Sequence, residues 1–185
     1  MRRSHGFTLI ELLVVLIIIG LVATMSLSLM GVFSQSTSVK GSAENVSATF
    51  SLARQKAANI HKLHFIKFEE LKLDGARTGA MSIYEDTNKN RTLDVGDTQL
   101  EGKPTQLIRF VYFDKSPTWI GVGSQEIVYP SGYETVQSDQ FYAGRKDSLP
   151  VGDLVLGMEN QPYKSYIDIR TDGDVEYYFY NPTAE

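Results

Sequence analysis

Five oxygen-bearing side chains recur at short intervals between residues 86 and 97. They stand at positions 1, 3, 5, 9 and 12 of a twelve-residue segment, namely Asp86, Asn88, Asn90, Asp94 and Asp97. Calcium is bound in proteins by several hard oxygen ligands that a loop wraps around one point. The spacing matches that of an EF-hand-like calcium loop in which Asp replaces the final Glu. The segment is therefore a candidate calcium site.

Arg91 argues against the calcium interpretation. It occupies loop position 6, where a glycine normally allows the sharp turn, and its cationic side chain does not attract a metal cation. The alternative is a hairpin loop rich in Asp and Asn, whose side chains hydrogen-bond to their own backbone. Both interpretations stay open from the sequence, so the chain has no certain cofactor and Ca²⁺ is a candidate.

No catalytic constellation of a known type is found. The chain has no cysteine, and it contains no Gly-rich phosphate loop, nucleophile elbow or H-E-x-x-H motif. His61 and His64 are three residues apart, but a shared metal would need a third ligand that the sequence does not supply. We therefore expect a protein that is not an enzyme and has no small-molecule substrate.

The charges are distributed unevenly along the chain. No charged residue occurs between Glu11 and Lys40, whereas the chain from Lys40 onward has 16 basic and 21 acidic residues, a net charge of −5. Nucleic-acid-binding domains instead concentrate Lys and Arg on one face. The acidic balance argues against a nucleic-acid partner.

The charge-free stretch is long enough to cross a membrane as a helix. Residues 12–33 are 22 positions, mostly Leu, Val, Ile, Ala and Met, and roughly 20 apolar residues span a bilayer core. Arg2 and Arg3 precede them, which predicts a cytoplasmic N-terminus. A secretory signal peptide fits poorly, because the apolar run exceeds the usual length and Ser26–Ser28 is a weak cleavage site. We predict a single-pass helix over residues 7–33.

Glu11 is the unusual residue of this segment. A carboxylate at mid-bilayer costs about 2.5–3.5 kcal/mol on insertion scales, and less near the edge. Such a group is usually retained for a partner, and the alternative is that Glu11 only marks the interface and stays hydrated. The residues around it, Gly6-Phe7-Thr8-Leu9-Ile10-Glu11 after a basic leader, closely resemble the class III signal of type IV pilins and type II secretion pseudopilins.

This resemblance implies specific processing and a specific partner for Glu11. A prepilin peptidase would remove residues 1–6 by cutting between Gly6 and Phe7, and would methylate the new amine of Phe7. Glu11 would pair with the Phe7 amine of a neighbouring subunit during filament assembly. The physics is consistent with that role, because an ammonium and a carboxylate attract strongly at low dielectric and either one is costly unpaired.

A second helical segment follows the apolar stretch. Val39, Ala43, Val46, Phe50, Ala53, Ala57 and Ile60 are spaced alternately four and three residues apart, the period of one helix face. Since no proline occurs before Pro104, we predict an amphipathic helix over residues 34–60 that continues the first one. Its apolar face is expected to pack against the C-terminal domain.

The region from residue 61 to residue 185 is predicted to form a β-rich globular head. Asp172-Gly173 is typical of a tight hairpin turn between the last two strands. A long helix followed by an antiparallel β-rich head is an α+β fold. The predicted strands, by their alternation and composition, are residues 63–68, 80–84, 107–113, 126–129, 154–158, 166–170 and 175–180.

The order of these elements resembles the minor pseudopilins and minor pilins of the GspH/FimT kind, in which two small sheets follow the helix. The resemblance implies a structural subunit of the type II secretion pseudopilus, with other pilin or pseudopilin subunits as partners. It also implies a bacterial inner-membrane location with a periplasmic head. The alternatives are a minor pilin of a type IV pilus and a membrane-tethered binding module that never polymerises.

Overall fold

The secondary structure of the described residues is one long helix followed by ten strands. The computed structural model describes residues 9–137, 140–141, 151–172 and 174–181, with the backbone alone for residues 23–34. This order confirms the predicted α+β class. The elements are α1 (Leu9–Ile60), β1 (His64–Leu73), β2 (Ala76–Glu85), β3 (Thr98–Gln99), β4 (Thr105–Gln106), β5 (Val111–Lys115), β6 (Trp119–Val122), β7 (Ile127–Val128), β8 (Leu154–Met158), β9 (Gln161–Ile169) and β10 (Val175–Tyr180).

The chain divides into two compact units, residues 1–36 and residues 37–185. In the first unit, the described side chains from Leu9 to Val22 are all exposed, and most of them are apolar. Within the part of the chain that the structure describes, no helix meets the length and hydropathy required of a membrane span.

The strands of the second unit form two antiparallel sheets. The first sheet has the order β3-β2-β1-β6-β7, with β4 also paired to β2, and the second has the order β10-β9-β8-β5. The longest ladder joins β1 to β2 from Leu73↔Ala76 to His64↔Glu85. Asp74 and Gly75 connect them with φ of 50° and 81°, the positive values that a tight hairpin turn requires.

The apolar stripe of α1 is buried as predicted. Six of its side chains are at most 1% exposed, namely Val39, Ala43, Val46, Phe50, Ala53 and Ala57. Ile60 differs, with 48% of its surface exposed, because it lies in the last turn of the helix. The next residue, His61, takes a φ of 54°, and a left-handed residue at this position ends a helix.

One core joins the helix to both sheets. The Phe50 ring on α1 lies 6.5 Å from that of Phe68 on β1, and the Phe68 ring lies 5.0 Å from that of Phe113 on β5. The backbone N–H of Ile108 donates to the Ser42 hydroxyl at 3.1 Å, so the helix is also tied to the segment between β4 and β5. The head is therefore built around the helix stripe.

The run Gly121-Val122-Gly123 is typical of a loop in sequence, but its first two residues lie in a strand. They belong to β6, whose four residues are all buried and which pairs with the start of β1. The small size of Gly121 suits the core, since a Cβ there would lie 3.1 Å from the Leu63 side chain and 3.2 Å from Val128. A glycine in a strand permits this close approach of neighbouring side chains.

The single strand predicted for residues 107–113 is divided between the two sheets. Phe110 has a φ of 71°, which interrupts the extended backbone. Before it, Leu107 donates its N–H to the Gly79 carbonyl in the first sheet, and after it β5 pairs with β8 in the second. Residues 107–113 are mostly apolar, as a strand would be, but the chain passes from the first sheet to the second within them.

Candidate functional site

The candidate site is the acidic loop, defined here as residues 86–97, which connects β2 to β3. Its two ends are held together by strand pairing, with Glu85 opposite Thr98 and Tyr84 opposite Gln99. The Asp86 backbone N–H also donates to the Leu63 carbonyl at 3.0 Å. The loop therefore leaves the edge of the first sheet and returns to it.

Asp86 directs its carboxylate into the acidic loop. The residue is only 3% exposed, and its Oδ2 accepts a hydrogen bond from the Arg91 backbone N–H at 3.1 Å. Its Oδ1 is also buried and has no hydrogen-bond partner among the described residues. A buried carboxylate oxygen without a donor is costly, because it has lost its water and gained nothing in return.

Asn88 and Asn90 organise the middle of the acidic loop. The Oδ1 atom of Asn88 accepts from the Asn90 backbone N–H at 3.0 Å, and that of Asn90 accepts from the Thr92 N–H at 2.8 Å. Their amide nitrogens both donate to the Asp94 carboxylate. The Gly96 N–H also donates to Asp94, at 2.7 Å, and these donors, the Gly96 N–H first, lower the pKa of Asp94.

Asp97 has a bracing role in the acidic loop. Its Oδ1 accepts from the Thr87 backbone N–H at 3.1 Å, and its Oδ2 accepts from the Asp94 N–H at 2.9 Å. Both carboxylate oxygens thus hold the backbone near the two ends of the loop.

Arg91 adopts the backbone conformation for which a glycine is normally needed at loop position 6. Its φ is 63°, so it adopts the left-handed conformation without being glycine. Its guanidinium makes a two-pronged ion pair with the Glu126 carboxylate, at 3.1 and 2.7 Å. This hydrogen-bonded pair raises the pKa of Arg91 and lowers that of Glu126.

A depression of about 600 Å³ lies beside the acidic loop. Asp94 and Asp97 line one part of it, and Leu93, Tyr84 and Trp119 supply apolar surface. Leu93 also packs against the buried cluster that contains Trp119. The loop therefore contacts the surroundings of the single tryptophan of the chain.

No group of three or more His, Cys, Asp or Glu side chains suited to a metal occurs in the described residues. His64 is fully buried at the start of β1, with Nδ1 3.1 Å from the Lys62 carbonyl oxygen and Nε2 lacking a partner among the described residues. His61 is exposed at the end of the helix. Burial, above all, lowers the pKa of His64.

We expect this histidine to make the head less stable in mild acid. In the unfolded chain His64 binds a proton near pH 6.5, whereas in the folded protein its pKa is lower. The free energy of unfolding therefore decreases as the pH falls from about 6.5 to the lowered pKa of the folded protein. His64→Asn should remove that part of the pH dependence in urea unfolding curves, and the exposed control His61→Asn should retain it. Equal slopes for the wild type and His64→Asn would contradict the expectation.

Asp153 is a buried residue that sequence reasoning did not identify. It is 1% exposed and accepts three hydrogen bonds, from the Val136 N–H at 2.7 Å, the Ile169 N–H at 3.0 Å and the Tyr129 hydroxyl at 3.2 Å. Burial, followed by the nearby Asp153 charge, raises the pKa of both Tyr129 and Tyr133. With its bonds satisfied, Asp153 holds the segment after β7 against the second sheet. No composition or spacing signal marks it.

The aromatic run at residues 177–180 lies on the edge strand β10. Its side chains are half-buried on both faces of the strand. Tyr177 and Phe179 pack on the main core, and Tyr178 and Tyr180 on a smaller cluster with Phe141 and Tyr166. The aromatic run is thus part of an edge strand that packs on the core.

The predicted processing site lies outside the described residues, which exclude Gly6 and Phe7. Glu11 lies in the first turn of α1 and is exposed in the first unit.

Comparison with family models finds the prokaryotic N-terminal methylation motif over residues 1–27. No curated protein and no solved structure matches the chain. The motif supports a type IV pilin-like protein that is processed by a prepilin peptidase, assembles with pilin-like subunits and is anchored through its N-terminal segment.

Proposed function

We propose that this chain is a minor pseudopilin, a low-abundance structural subunit of the type II secretion pseudopilus. The observation that carries the proposal is the methylation motif over residues 1–27, in a chain whose helix α1 runs from Leu9 to Ile60. A subunit of this kind needs an anchor that packs against other subunits and a head that is presented outside the membrane.

The first step of the proposed function is processing. Hydrolysis of the bond between Gly6 and Phe7 would remove the leader with Arg2 and Arg3 and leave a free Phe7 amine. The peptidase would then transfer a methyl group to that amine from a methyl-donor cosubstrate. Until cleavage, the two arginines would hold the N-terminus on the cytoplasmic side of the inner membrane. The head would be exported to the periplasm.

The second step is assembly with neighbouring subunits. We place Glu11 opposite the Phe7 amine of the next subunit, inside apolar surroundings. Coulomb attraction is strong there, and an unpaired carboxylate or ammonium is costly. Only one axial offset between two helices pairs both groups, so this ion pair would set the register of the filament.

Two features of the head agree with a structural role. The helix stripe from Val39 to Ala53 is buried in one core with residues of both sheets. The net charge of −5 from Lys40 onward disfavours DNA uptake, the function that a nucleic-acid-binding minor pilin would have. A minor pilin of a type IV pilus without DNA-binding activity would carry the same signal.

Processing can be tested by intact-mass analysis. We expect protein extracted from membranes that contain a prepilin peptidase to begin at Phe7 and to carry one additional methyl group. Gly6→Leu should leave the precursor uncut, because the side chain added at the cleavage site obstructs the peptidase. The matched control Ser4→Leu changes a leader residue away from the cut and should be processed normally. A wild-type protein that begins at Met1 or at Ser28 would contradict the proposal.

A further inference from the structure

Among the described residues of the acidic loop, Oδ1 of Asp86 is the buried side-chain atom that has no hydrogen-bond partner. Oδ2 of the same carboxylate accepts the Arg91 N–H from the middle of the loop. Six loop N–H groups donate to loop side chains, and none of these six donates to Oδ1; they belong to Thr87, Asn90, Arg91, Thr92, Asp94 and Gly96. A buried carboxylate oxygen in this situation calls for a donor or a cation.

The loop brings other oxygens to the same segment. Asn88 and Asn90 use one lone pair of Oδ1 each for a backbone N–H, and a carbonyl oxygen has two. Asp94 is exposed and ionised, with a pKa below its ordinary value, so it adds a second carboxylate. Cation binding would displace the hydrogen bonds that the Asn88 and Asn90 amide nitrogens donate to Asp94. The backbone N–H bonds that the two Oδ1 atoms accept would be kept.

Arg91, which argued against a cation, has its side chain paired with a carboxylate outside the loop. The Arg91 guanidinium is paired with Glu126, a residue outside the loop that precedes β7. Its backbone already has the positive φ that the sixth position of a calcium loop needs. The side chain of Arg91 is therefore tied to a carboxylate other than Asp86.

We propose that the acidic loop binds one calcium ion. The ligands would be the side-chain oxygens of loop positions 1, 3, 5 and 9, namely Asp86, Asn88, Asn90 and Asp94. Asp97 would brace the loop, because both of its oxygens accept backbone N–H groups. The Thr92 carbonyl at position 7 and water would complete the six to eight oxygens that calcium takes.

Calcium fits this set better than magnesium. Magnesium demands a small, nearly ideal octahedron and gives up its water reluctantly, whereas calcium accepts irregular sets of carboxylate, amide and carbonyl oxygens. The proposed set has two carboxylates and two neutral amides. We expect calcium to hold the loop against the sheet edge and so to stabilise the head.

The single tryptophan supplies a direct readout. Leu93 of the acidic loop packs on the cluster that contains Trp119, and Asp94 lines the same depression as its ring. Full-length protein in detergent, first stripped with EGTA, should show a saturable change in Trp119 fluorescence and measurable heat of binding when titrated with CaCl₂. Saturating calcium should raise the melting temperature by about 5 °C. Equimolar MgCl₂ should have a clearly smaller effect.

Single substitutions test whether calcium binds at the acidic loop. Asp86→Asn should raise the dissociation constant for calcium at least about tenfold, since it removes a ligand charge. The control Asp74→Asn changes an exposed aspartate of the β1–β2 turn and should bind as the wild type does. If Asp86→Asn folds poorly in EGTA, the exposed Asp94→Asn should show the same loss of affinity. Absence of a heat, a fluorescence change and a melting shift in the wild type would overturn the proposal, as would wild-type affinity in both loop variants.

Discussion

Replacing Glu11 with valine is expected to abolish incorporation of this chain into a filament while leaving it in the membrane fraction. Valine removes a costly carboxylate from an apolar segment, so insertion should be retained or improved. In the assembled state, however, the amine of the neighbouring Phe7 would lose its counter-ion. Breaking a buried ion pair by removal of one partner costs about 3–5 kcal/mol, which corresponds to a loss of more than a hundredfold in association.

The experiment compares membrane fractionation with cross-linking to co-expressed pseudopilin subunits. Ile10→Val is the matched control, because it changes the adjacent exposed apolar side chain and should assemble normally. Glu11→Asp keeps the charge on a shorter side chain and should recover part of the assembly. Intact mass must show that each variant is still cut and methylated, so that an assembly defect is separated from a processing defect. Normal assembly of Glu11→Val would leave a tethered module as the better interpretation.

Replacing Phe50 with alanine is expected to cause the largest loss of stability in the head. Phe50 is fully buried on the helix stripe, and its ring lies 6.5 Å from that of Phe68 in the first sheet. Truncation of a buried phenylalanine costs about 3–5 kcal/mol, because the lost contacts add to the cost of the cavity. In a domain of this size the melting temperature should fall by about 10 °C.

Leu52 provides a control for this change within the same helix. It lies two residues away and is 37% exposed, outside the buried stripe. Leu52→Ala should therefore cost less than about 1 kcal/mol in urea or thermal unfolding. Similar losses for the two variants would show that the stripe is not the part of the helix that stabilises the head. The comparison is independent of filament assembly, so it tests the fold alone.

The helix and the order of the strands could be predicted because they depend on local patterns. A buried helix face repeats every three or four residues, and six of the seven predicted stripe residues are buried. Asp172-Gly173 correctly predicted that the last two strands form a hairpin, and Ile169 does pair with Val175. Asp74-Gly75, at the turn of the β1–β2 hairpin, carries the same signal.

The division of strands between sheets could not be predicted in this way. Residues 107–113 read as one apolar run, but Phe110 turns the chain from the first sheet to the second. Trp119–Val122 contains a glycine, which is typical of a loop, but Gly121 lies in a strand where a Cβ would approach the Leu63 and Val128 side chains closely. Which strand accepts a segment depends on residues far away in the chain.

The acidic loop shows the same division. Its oxygen spacing was evident from residues 86–97, and so was the apparent conflict at Arg91. The ion pair that offsets this conflict joins Arg91 to Glu126, 35 positions further along the chain. Asp86 Oδ1 is buried and has no donor among the described residues. Neither could be deduced from spacing.

By itself, the amino-acid sequence determined the methylation signal, the helix face and the α+β class, since each is set by side chains close together along the chain. Only the tertiary structure decided which strands pair, that Asp153 is buried with its bonds satisfied, and that Asp86 is buried with one oxygen that has no donor in the described part of the chain. The physical reason is that burial and hydrogen-bond satisfaction are properties of the packed surroundings, which segments distant in sequence supply together.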